Sequence, residues 1–433
     1  MRDPIVVRVE GLLRNPIVII AAAGLLSAAA AVVLVLAFPL YKPFLSDPFW
    51  FPIIVMAVML GLILTATAVC ILAERKLAGY TQDRRGPNRV GFWGLLQPMA
   101  DGLKLFLKED IIPFNVDRPI FLLAPCLAMI VALVGFAIIP WAGDVHWPWM
   151  PEGQTVRTQV ASLDIGVLYI IAIGSIGAYG AVLAGYASNN KYSFYGGIRG
   201  TAQMISYELP FGLALLCILL TTGTLRPEVI VDQQATSGVW YVFMHPIVFF
   251  IILVSSFAET NRLPFDLVEA EHELVGGFHT EYSSMKFGMF FLGEYAHMVT
   301  GSALMVALFF GGWHVWGLPG AENTAWWAML IKLGVYLAKI AVFIGLFMVV
   351  RWTLPRFRFD QLMRVAWQSL VPIGIVLVVA MAVLATFNLH RNWLATLSVN
   401  VILLLVVLWV ASRSKQPVTG RQSDLATLKV RPE

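Results

Sequence analysis

Long apolar stretches follow one another along the chain and are separated by short polar segments. About 20 apolar residues cross the hydrocarbon core of a bilayer as an α-helix, and about ten stretches reach that length. Their approximate limits are 16–40, 51–73, 119–140, 164–187, 203–224, 241–258, 286–312, 326–350, 368–388 and 393–411. The strict alternation typical of a membrane β-barrel is absent. The pattern therefore predicts an all-α, polytopic bundle of transmembrane helices, in which each span satisfies its own backbone hydrogen bonds.

Two further segments have the periodicity of amphipathic helices on the cytoplasmic side. In residues 94–110, apolar side chains recur at helical spacing opposite polar ones, as in a helix that lies at a membrane surface or against a partner. Its apolar positions are Leu95, Leu96, Met99, Leu103, Phe106 and Leu107. The second segment runs from Pro264 to the pair Gly276 and Gly277. Pro264 suits the first turn of a helix, and the two glycines suit its end.

Composition supports a membrane location and argues against several cofactors. Only 13% of the 433 residues are charged, about half the fraction in soluble domains. The three cysteines lie apart in apolar segments without a CxxC pair, and no Walker loop or GxGxxG fingerprint follows a strand. We therefore expect that this chain by itself binds no FMN, iron–sulfur cluster or metal, and no nucleic acid.

Lysine and arginine are concentrated in one set of loops, which predicts the orientation in the membrane. Residues 74–118 hold eight cations and residues 351–364 hold four arginines, whereas the other set of loops holds four cations in all. The positive-inside rule then predicts cytoplasmic N- and C-termini. We expect one transmembrane domain over residues 1–412 and a polar cytoplasmic tail over residues 413–433.

The segment FDLVEAEHELVGGFHTEY, residues 265–282, is called the acidic run below. It holds five carboxylates and two histidines, and no lysine or arginine. On a helix, Glu269 and Glu273 share one face, and closely spaced carboxylates raise one another's pKa. Such a cluster can hold protons near neutral pH. The alternative is a solvated acidic loop that contacts a basic partner.

Other ionisable residues fall inside or beside the predicted spans. Glu208 in SYELPFG and Glu294 in GEYAHM have no cation within one helical turn, and ionisable groups at membrane depth mark ion or proton routes by default. Glu281 lies between Glu294 and the rest of the acidic run. Lys332 and Lys339 share one face of a span, so they either pair with these acids or extend to the interfaces.

Two basic segments, 73–91 and 351–364, each allow two interpretations. The simpler one is the ordinary excess of positive charge on the cytoplasmic side. The other is a docking rim for a soluble partner, or a cationic mouth near a hydrophobic tunnel.

Four stretches resemble, in the same order, the H-type membrane subunit of bacterial NADH–quinone oxidoreductase, the equivalent of the mitochondrially encoded subunit 1 of respiratory complex I. They are AERKLAGYTQDRRGPNRVGFWGLLQPMADGLKLFLKED, ISYELPFG, FAETNRLPFDLVEAEHELVGGFHTEYSSMKFGMFFLGEY and LPRFRFDQLMRVAWQ. Motifs this long and ordered are specific. The resemblance covers about residues 50–388 and implies a core of eight spans, so the first and last predicted spans are additions.

The resemblance implies a subunit of an H⁺-translocating NADH:quinone oxidoreductase in the bacterial inner (plasma) membrane, with ubiquinone or menaquinone as the substrate. The implied partners are the other membrane subunits, the quinone-site subunits of the peripheral arm, including the one that carries the terminal iron–sulfur cluster, and lipid. It assigns to an acidic coupling channel Glu208, Glu259, Glu269, Glu271, Glu273, Glu281 and Glu294. It places near the quinone tunnel Arg75, Asp101, Arg262 and Arg351. For partner docking we expect Arg84, Arg85, Arg89, Arg356 and Arg358.

Two alternatives stay open at this stage. A related membrane subunit serves membrane-bound hydrogenases, formate hydrogenlyases and complexes that use reduced F420 or ferredoxin. An independent secondary transporter is the less favoured alternative, because such transporters usually contain an internal repeat and none is found in the sequence.

Overall fold

The computed structural model describes residues 49–148, 150, 154–317, 320 and 322–413. The predicted span 16–40 and the tail from residue 414 lie outside the described residues. Within them, the predicted all-α architecture is confirmed. The strands consist of β1 (Asp144–Val145) and β2 (Val156–Arg157), which pair antiparallel in a loop.

Seven helices in the described part of the chain are long and apolar enough to cross a membrane. They are α1 (Trp50–Thr81), α3 (Arg118–Val134), α4 (Gly166–Ala187), α5 (Lys191–Thr222), α11 (Trp326–Thr353), α13 (Val371–Thr386, continuous with α12) and α14 (Trp393–Arg413). The others are α2 (Gln97–Leu107), α6 (Pro227–Ser237), α7 (Tyr241–Met244), α8 (Pro246–Glu259), α9 (Glu271–Leu274), α10 (Ser284–Phe309) and α12 (Phe359–Arg364).

Two of the predicted spans differ in detail from the helices found. The stretch 241–258 is divided into α7 and α8 at His245, whose backbone is not helical. Proline disfavours the helical conformation of the residue before it, so Pro246 accounts for the break. Helix α5 begins well before the predicted residue 203, because Asn190 accepts a hydrogen bond from the Tyr192 backbone N–H at 3.0 Å and caps the helix.

The two predicted amphipathic helices have different outcomes. Helix α2 is present over Gln97–Leu107, and its apolar face is exposed, with Phe106 70% and Leu107 79% exposed. The predicted helix from Pro264 to Gly276 is wrong in length, because only Glu271–Leu274 is helical. The reason is burial: the buried side chains of this segment do not share one helical face. They are Phe265, Leu267, Val268, Ala270 and Leu274.

Contacts between loops confirm that the helices alternate in direction. At one end, the backbone N–H of Phe357 donates to the Pro264 carbonyl at 3.2 Å, and Ser284 Oγ donates to the Leu105 carbonyl at 2.8 Å. At the other end, Val167 N–H donates to the Leu225 carbonyl at 2.9 Å. The acidic run and both basic segments therefore lie at the same face of the bundle, called the acidic-run face below.

Lys332 and Lys339 do not pair with the acids of the channel. Lys339 Nζ donates to the carbonyls of Phe310, Gly312 and His314 at 2.6, 2.9 and 2.7 Å, just beyond the C-terminal end of α10. Lys332 Nζ donates to the Asn323 carbonyl at 2.8 Å. Both ammonium groups therefore satisfy backbone carbonyls at the face opposite the acidic run, where a cation also complements the helix dipole.

The last helix, α14, is bound to the bundle by a polar contact. Its buried positions Thr396, Asn400 and Leu403 fall on one stripe, and the helix packs against α7, α8 and α13. Asn400 Nδ2 donates to the Met244 carbonyl at 3.3 Å, at the break between α7 and α8. A donor from α14 thus reaches a backbone carbonyl at the point where the helix is interrupted.

We expect Asn400→Leu to loosen α14 by about 1 kcal/mol, because leucine offers no donor to the Met244 carbonyl. The measurement is the thiol-labelling rate of Thr396→Cys in the assembled complex, with the background of the parent protein subtracted. This rate should rise about fivefold. Val401→Leu, an exposed position on the same helix, is the control, and equal rates in both variants would refute the expectation.

Candidate functional site

A buried cavity of about 80 Å³ lies between α4, α5, α8 and α10. Glutamates from three helices line it: Glu208 of α5, Glu259 at the end of α8 and Glu294 of α10. The other polar side chains of its wall are Ser175, Tyr207, Ser255, Thr260, Asn261 and His297. The structure therefore brings together three of the predicted channel acids, from sequence positions far apart.

Local features of α4 hold two of these carboxylates in place. Ser175 Oγ donates a hydrogen bond to Glu208 Oε1. A Cβ atom added at Gly174 would lie 2.5 Å from Glu259 Oε1, so only glycine lets the carboxylate approach the helix backbone this closely. The glycine-rich sequence of α4 therefore permits more than helix packing, since it also makes room for Glu259.

Beside this cavity, Glu74 of α1 pairs with two arginines. Arg262 Nη1 lies 2.8 Å from Glu74 Oε2, and Arg351 Nη1 contacts Glu74 Oε1. The Tyr295 hydroxyl donates to Glu74 Oε2 at 2.6 Å, and the Arg262 guanidinium lies 4.1 Å from the centroid of the Tyr295 ring. Only 5% of Glu74 and 5% of Arg262 is exposed. The three charged groups and Tyr295 form what we call the Glu74 cluster.

Arg262 connects the Glu74 cluster to the cavity. Burial disfavours its charge, but attraction by Glu294, Tyr295 and Glu74 outweighs burial and raises the pKa of the guanidinium. Among the described residues, Nε and Nη2 of Arg262 have no hydrogen-bond partner. These donors are free for a further acceptor, and the charge of Glu294 also attracts Arg262.

The acidic run is not a single cluster, because four of its acids each have a different partner. Asp266 pairs with Arg356 at 2.8 Å, and Glu269 contacts His279 at 3.3 Å. Arg199 of α5 pairs with Glu273, and Glu281 accepts a hydrogen bond from Asn190 Nδ2 at 2.6 Å. Glu271 is the first residue of α9, and its predicted role stays a prediction.

Neighbouring acids of the run have pKa values shifted in opposite directions. Burial, reinforced by the charge of Glu269, raises the pKa of Asp266 to about 6 against the opposing charges of Arg356 and Arg351. Burial also acts on Glu269, but the His279 hydrogen bond and nearby cations outweigh it and lower its pKa. Two carboxylates whose pKa values are driven apart can divide the roles of proton donor and fixed charge.

The four predicted tunnel residues divide into two pairs. Arg262 and Arg351 both bind Glu74. Arg75 pairs with Asp101 of α2 on the surface, where Lys104 also lies 3.3 Å from Asp101. Burial opposes ionisation of Asp101, but these cations outweigh it and lower its pKa. The second pair therefore fastens α2 to the end of α1.

The predicted docking arginines also differ from one another. Arg84, Arg85 and Arg89 are exposed in the turn after α1, and Arg358 is exposed before α12. Arg356 is only half-exposed, because it turns inward to Asp266.

The sequence-based prediction missed Glu74, Tyr295 and His297. Glu74 directly follows an apolar span in AERKL, so its position at membrane depth was a usable signal. The cations that surround this motif in sequence obscured it. Tyr295 directly follows Glu294 in GEYAHM, and His297 comes three residues after it. Only the packing of the helices shows that Tyr295 contacts Glu74 of α1 and that His297 lies against Gly177 of α4.

Fold and site together define a polytopic helical membrane protein with a buried acidic cavity next to a buried ion-pair cluster. A family model described as NADH dehydrogenase matches residues 53–382. The H-type subunit of the NADH-quinone oxidoreductase of Leptospira biflexa serovar Patoc is 48% identical over 338 residues, 77% of this chain and 94% of the relative. The first H-type subunit of Cytophaga hutchinsonii is 48% identical over 307 residues, covering 70% and 87%. The first H-type subunit of Geobacter sulfurreducens is 46% identical over 333 residues, covering 75% and 92%.

The chain therefore belongs to the NADH dehydrogenase family, as an H-type membrane subunit of NADH-quinone oxidoreductase, respiratory complex I. This confirms the resemblance seen in the sequence and favours the quinone-reducing complexes over the hydrogenase alternative. Helix α14 lies beyond the matched residues 53–382, as expected for an added span.

We expect Glu74→Gln to destabilise the protein by about 3–5 kcal/mol, because it leaves the buried guanidinium of Arg262 without its anion. The partly exposed Arg351 loses the same partner. The measurement is the unfolding temperature and yield of the assembled complex. Glu322→Gln, an exposed acid at the opposite face, is the control. The double variant Glu74→Gln with Arg262→Gln should recover part of the loss. Unchanged stability of the single variant would contradict the assignment.

A second prediction concerns the pH dependence contributed by Asp266. Its pKa in the folded protein lies above the ordinary 3.8, at about 6, so its stabilising contribution is present at low pH and is lost as pH rises through 6. Compared with Asp266→Asn, the wild type should lose on the order of 2 kcal/mol between pH 4 and pH 7.5. Unfolding of both proteins across this range is the measurement, and parallel pH curves would exclude the shift.

Proposed function

We propose that this chain forms part of the quinone tunnel of an H⁺-translocating NADH:quinone oxidoreductase and couples quinone reduction to proton movement. The observation that carries the proposal is the convergence of Glu208, Glu259 and Glu294 in one buried cavity, next to the Glu74 cluster. Carboxylates from three helices at membrane depth are costly, and such groups by default serve an ion or proton route.

The acids form a series from the acidic-run face inward, in which each acid interacts electrostatically with the next. Glu269 and Asp266 act electrostatically on Glu294, and Glu208 acts on Glu259. Like charges in a low-dielectric interior interact strongly, so a proton gained or lost at one carboxylate changes proton occupancy at the next. The series therefore carries a charge signal without requiring that the helices move.

Quinone reduction consumes protons and creates negative charge at the acidic-run face. A proton drawn from Asp266 leaves a new anion beside Glu269, which disfavours ionisation of Glu294 and favours proton uptake there. When Glu294 ionises instead, the unpaired N–H groups of Arg262 can donate hydrogen bonds to its carboxylate. Arg262 thus has two possible acids, Glu74 permanently and Glu294 conditionally, and this makes it the switching element of the proposed coupling.

The surface features fit the same function. The exposed arginines after α1 and before α12 offer cations to the peripheral-arm subunits that hold the quinone headgroup and the terminal iron–sulfur cluster. The exposed apolar face of α2 suits lipid or a neighbouring membrane subunit, and with the end of α1 it flanks the entrance for ubiquinone or menaquinone. In the bacterial inner membrane, the acidic-run face is then cytoplasmic, as are both termini.

Glu208→Gln tests the proposal, because it keeps the size of the side chain and removes its ability to carry a proton. We expect NADH:quinone reduction and proton pumping in proteoliposomes to fall together, by roughly tenfold or more. NADH oxidation by an artificial acceptor, which does not use the quinone site, should be unchanged.

Glu322→Gln is the matched control at the opposite face, and it should pump normally. If Glu208→Gln assembles and retains full quinone reduction and pumping with an unaltered pH dependence, the proposed channel is wrong.

A further inference from the structure

His297 lies beside the acidic cavity and has no part in the coupling described so far. It follows Glu294 by three residues on α10, so both side chains lie on the same side of the helix. Its ring lines the cavity that holds the three glutamates. Among the described residues, no hydrogen bond to the ring of His297 is found, and its Nε2 lies against α4 at Gly177. The imidazole is therefore available to exchange a proton with a group or a water molecule in the cavity.

A second cavity of about 30 Å³ continues from the first toward the other face of the membrane. Its polar wall includes Ser256, Thr260 and Thr300. Glu259 and His297 line both cavities and are the two ionisable side chains among the described residues in the wall of the second. They therefore form the boundary that a proton has to pass between the two spaces.

Two glycines of α4 show how close these groups come. A Cβ atom added at Gly174 would lie 2.5 Å from Glu259 Oε1, and one added at Gly177 would lie 3.5 Å from His297 Nε2. Side chains three apart on a helix have Cβ atoms about 5–6 Å apart. The carboxylate and the imidazole thus cover consecutive turns of one glycine face, at a spacing that a single water molecule can bridge.

We propose that His297 is a proton-relay residue that extends the glutamate series from the first cavity into the second. The inference rests on the proposed function, because it needs protons to arrive at Glu259 or Glu294. A neutral imidazole accepts a proton at one nitrogen and releases the proton of the other, so it transfers a proton without net change. A protonated carboxyl group on the first-cavity side is the donor and is left as a carboxylate, and water in the second cavity accepts the proton that the ring releases.

The charged surroundings of His297 suit this role. The acids that face it are Glu208 from α5, Glu259 from α8 and Glu294 from its own helix, while α3 and α4 contribute small or apolar residues such as Ala128, Val131 and Gly177. No lysine or arginine is among the described residues that line either cavity. Burial makes a lasting imidazolium costly here, so the ring suits brief proton transfer between neighbouring groups, with no competing cation in the cavity walls.

The test is His297→Gln in the assembled complex, since glutamine preserves polarity and cannot become charged. We expect the ratio of protons pumped to NADH oxidised to fall at least twofold. His314→Gln, beyond the end of α10, is the matched control and should behave as wild type. His297→Asn provides a second variant if the first assembles poorly.

Gly174→Ala supplies an independent arm, because its Cβ displaces the Glu259 carboxylate without removing any ionisable group. It should reduce the pumping ratio in the same direction as His297→Gln.

The outcomes separate this inference from the proposed function. A normal ratio of protons pumped to NADH oxidised in both His297 variants, together with a defective Glu208→Gln, overturns the relay and leaves the glutamate channel standing. Normal pumping in Glu208→Gln as well overturns both. A uniform loss of unfolding temperature with an unaltered pumping ratio assigns His297 a structural role and also refutes the relay.

Discussion

The buried contact of Glu74 with Arg262 and Arg351 is the interaction on which the rest of this site depends. One carboxylate balances two guanidinium groups where water is scarce, and the Tyr295 hydroxyl completes its coordination. Because the three charged residues come from α1, from the segment after α8 and from α11, the cluster fixes three distant parts of the chain at one point. An excess of positive charge remains, and it is directed toward Glu294.

That excess explains how acids can persist in the membrane interior. A carboxylate at this depth is costly when ionised, and a nearby guanidinium with unused donors reduces that cost. The glutamates of the cavity can therefore be either protonated or ionised. Its neighbours in the acidic run, Asp266 and Glu269, have pKa values moved in opposite directions by burial and by local partners. Electrostatic coupling between adjacent sites of this kind suits energy transfer over a distance, since no rigid-body motion is required.

Glycines of α4 also help to hold polar groups in the cavity, on the wall that this helix forms. The side chain that would fill the space at Gly174 is replaced by the carboxylate of Glu259, and the space near Gly177 by the ring of His297. Small residues in membrane helices usually serve close helix packing. Here, the missing side chains also let polar groups approach the helix surface. Glycine therefore explains both the close packing of α4 and the polarity of the cavity.

The sequence by itself determined the all-α membrane architecture, the approximate spans and the acids Glu208 and Glu294, because long apolar runs and isolated charges at membrane depth are local features. Glu259 was assigned only through the resemblance of its motif to the family. It also determined the amphipathic helix α2. Only the tertiary structure decided the partners. Arg199 and Arg356 form ion pairs with acids of the run. Lys339 binds carbonyls at a helix end, and Glu74 binds arginines distant in sequence. Periodicity describes one helix at a time, whereas charge pairing and the shape of a cavity arise between helices. For this reason the segment after Pro264, whose conformation follows from burial against several helices, was misjudged as one regular helix.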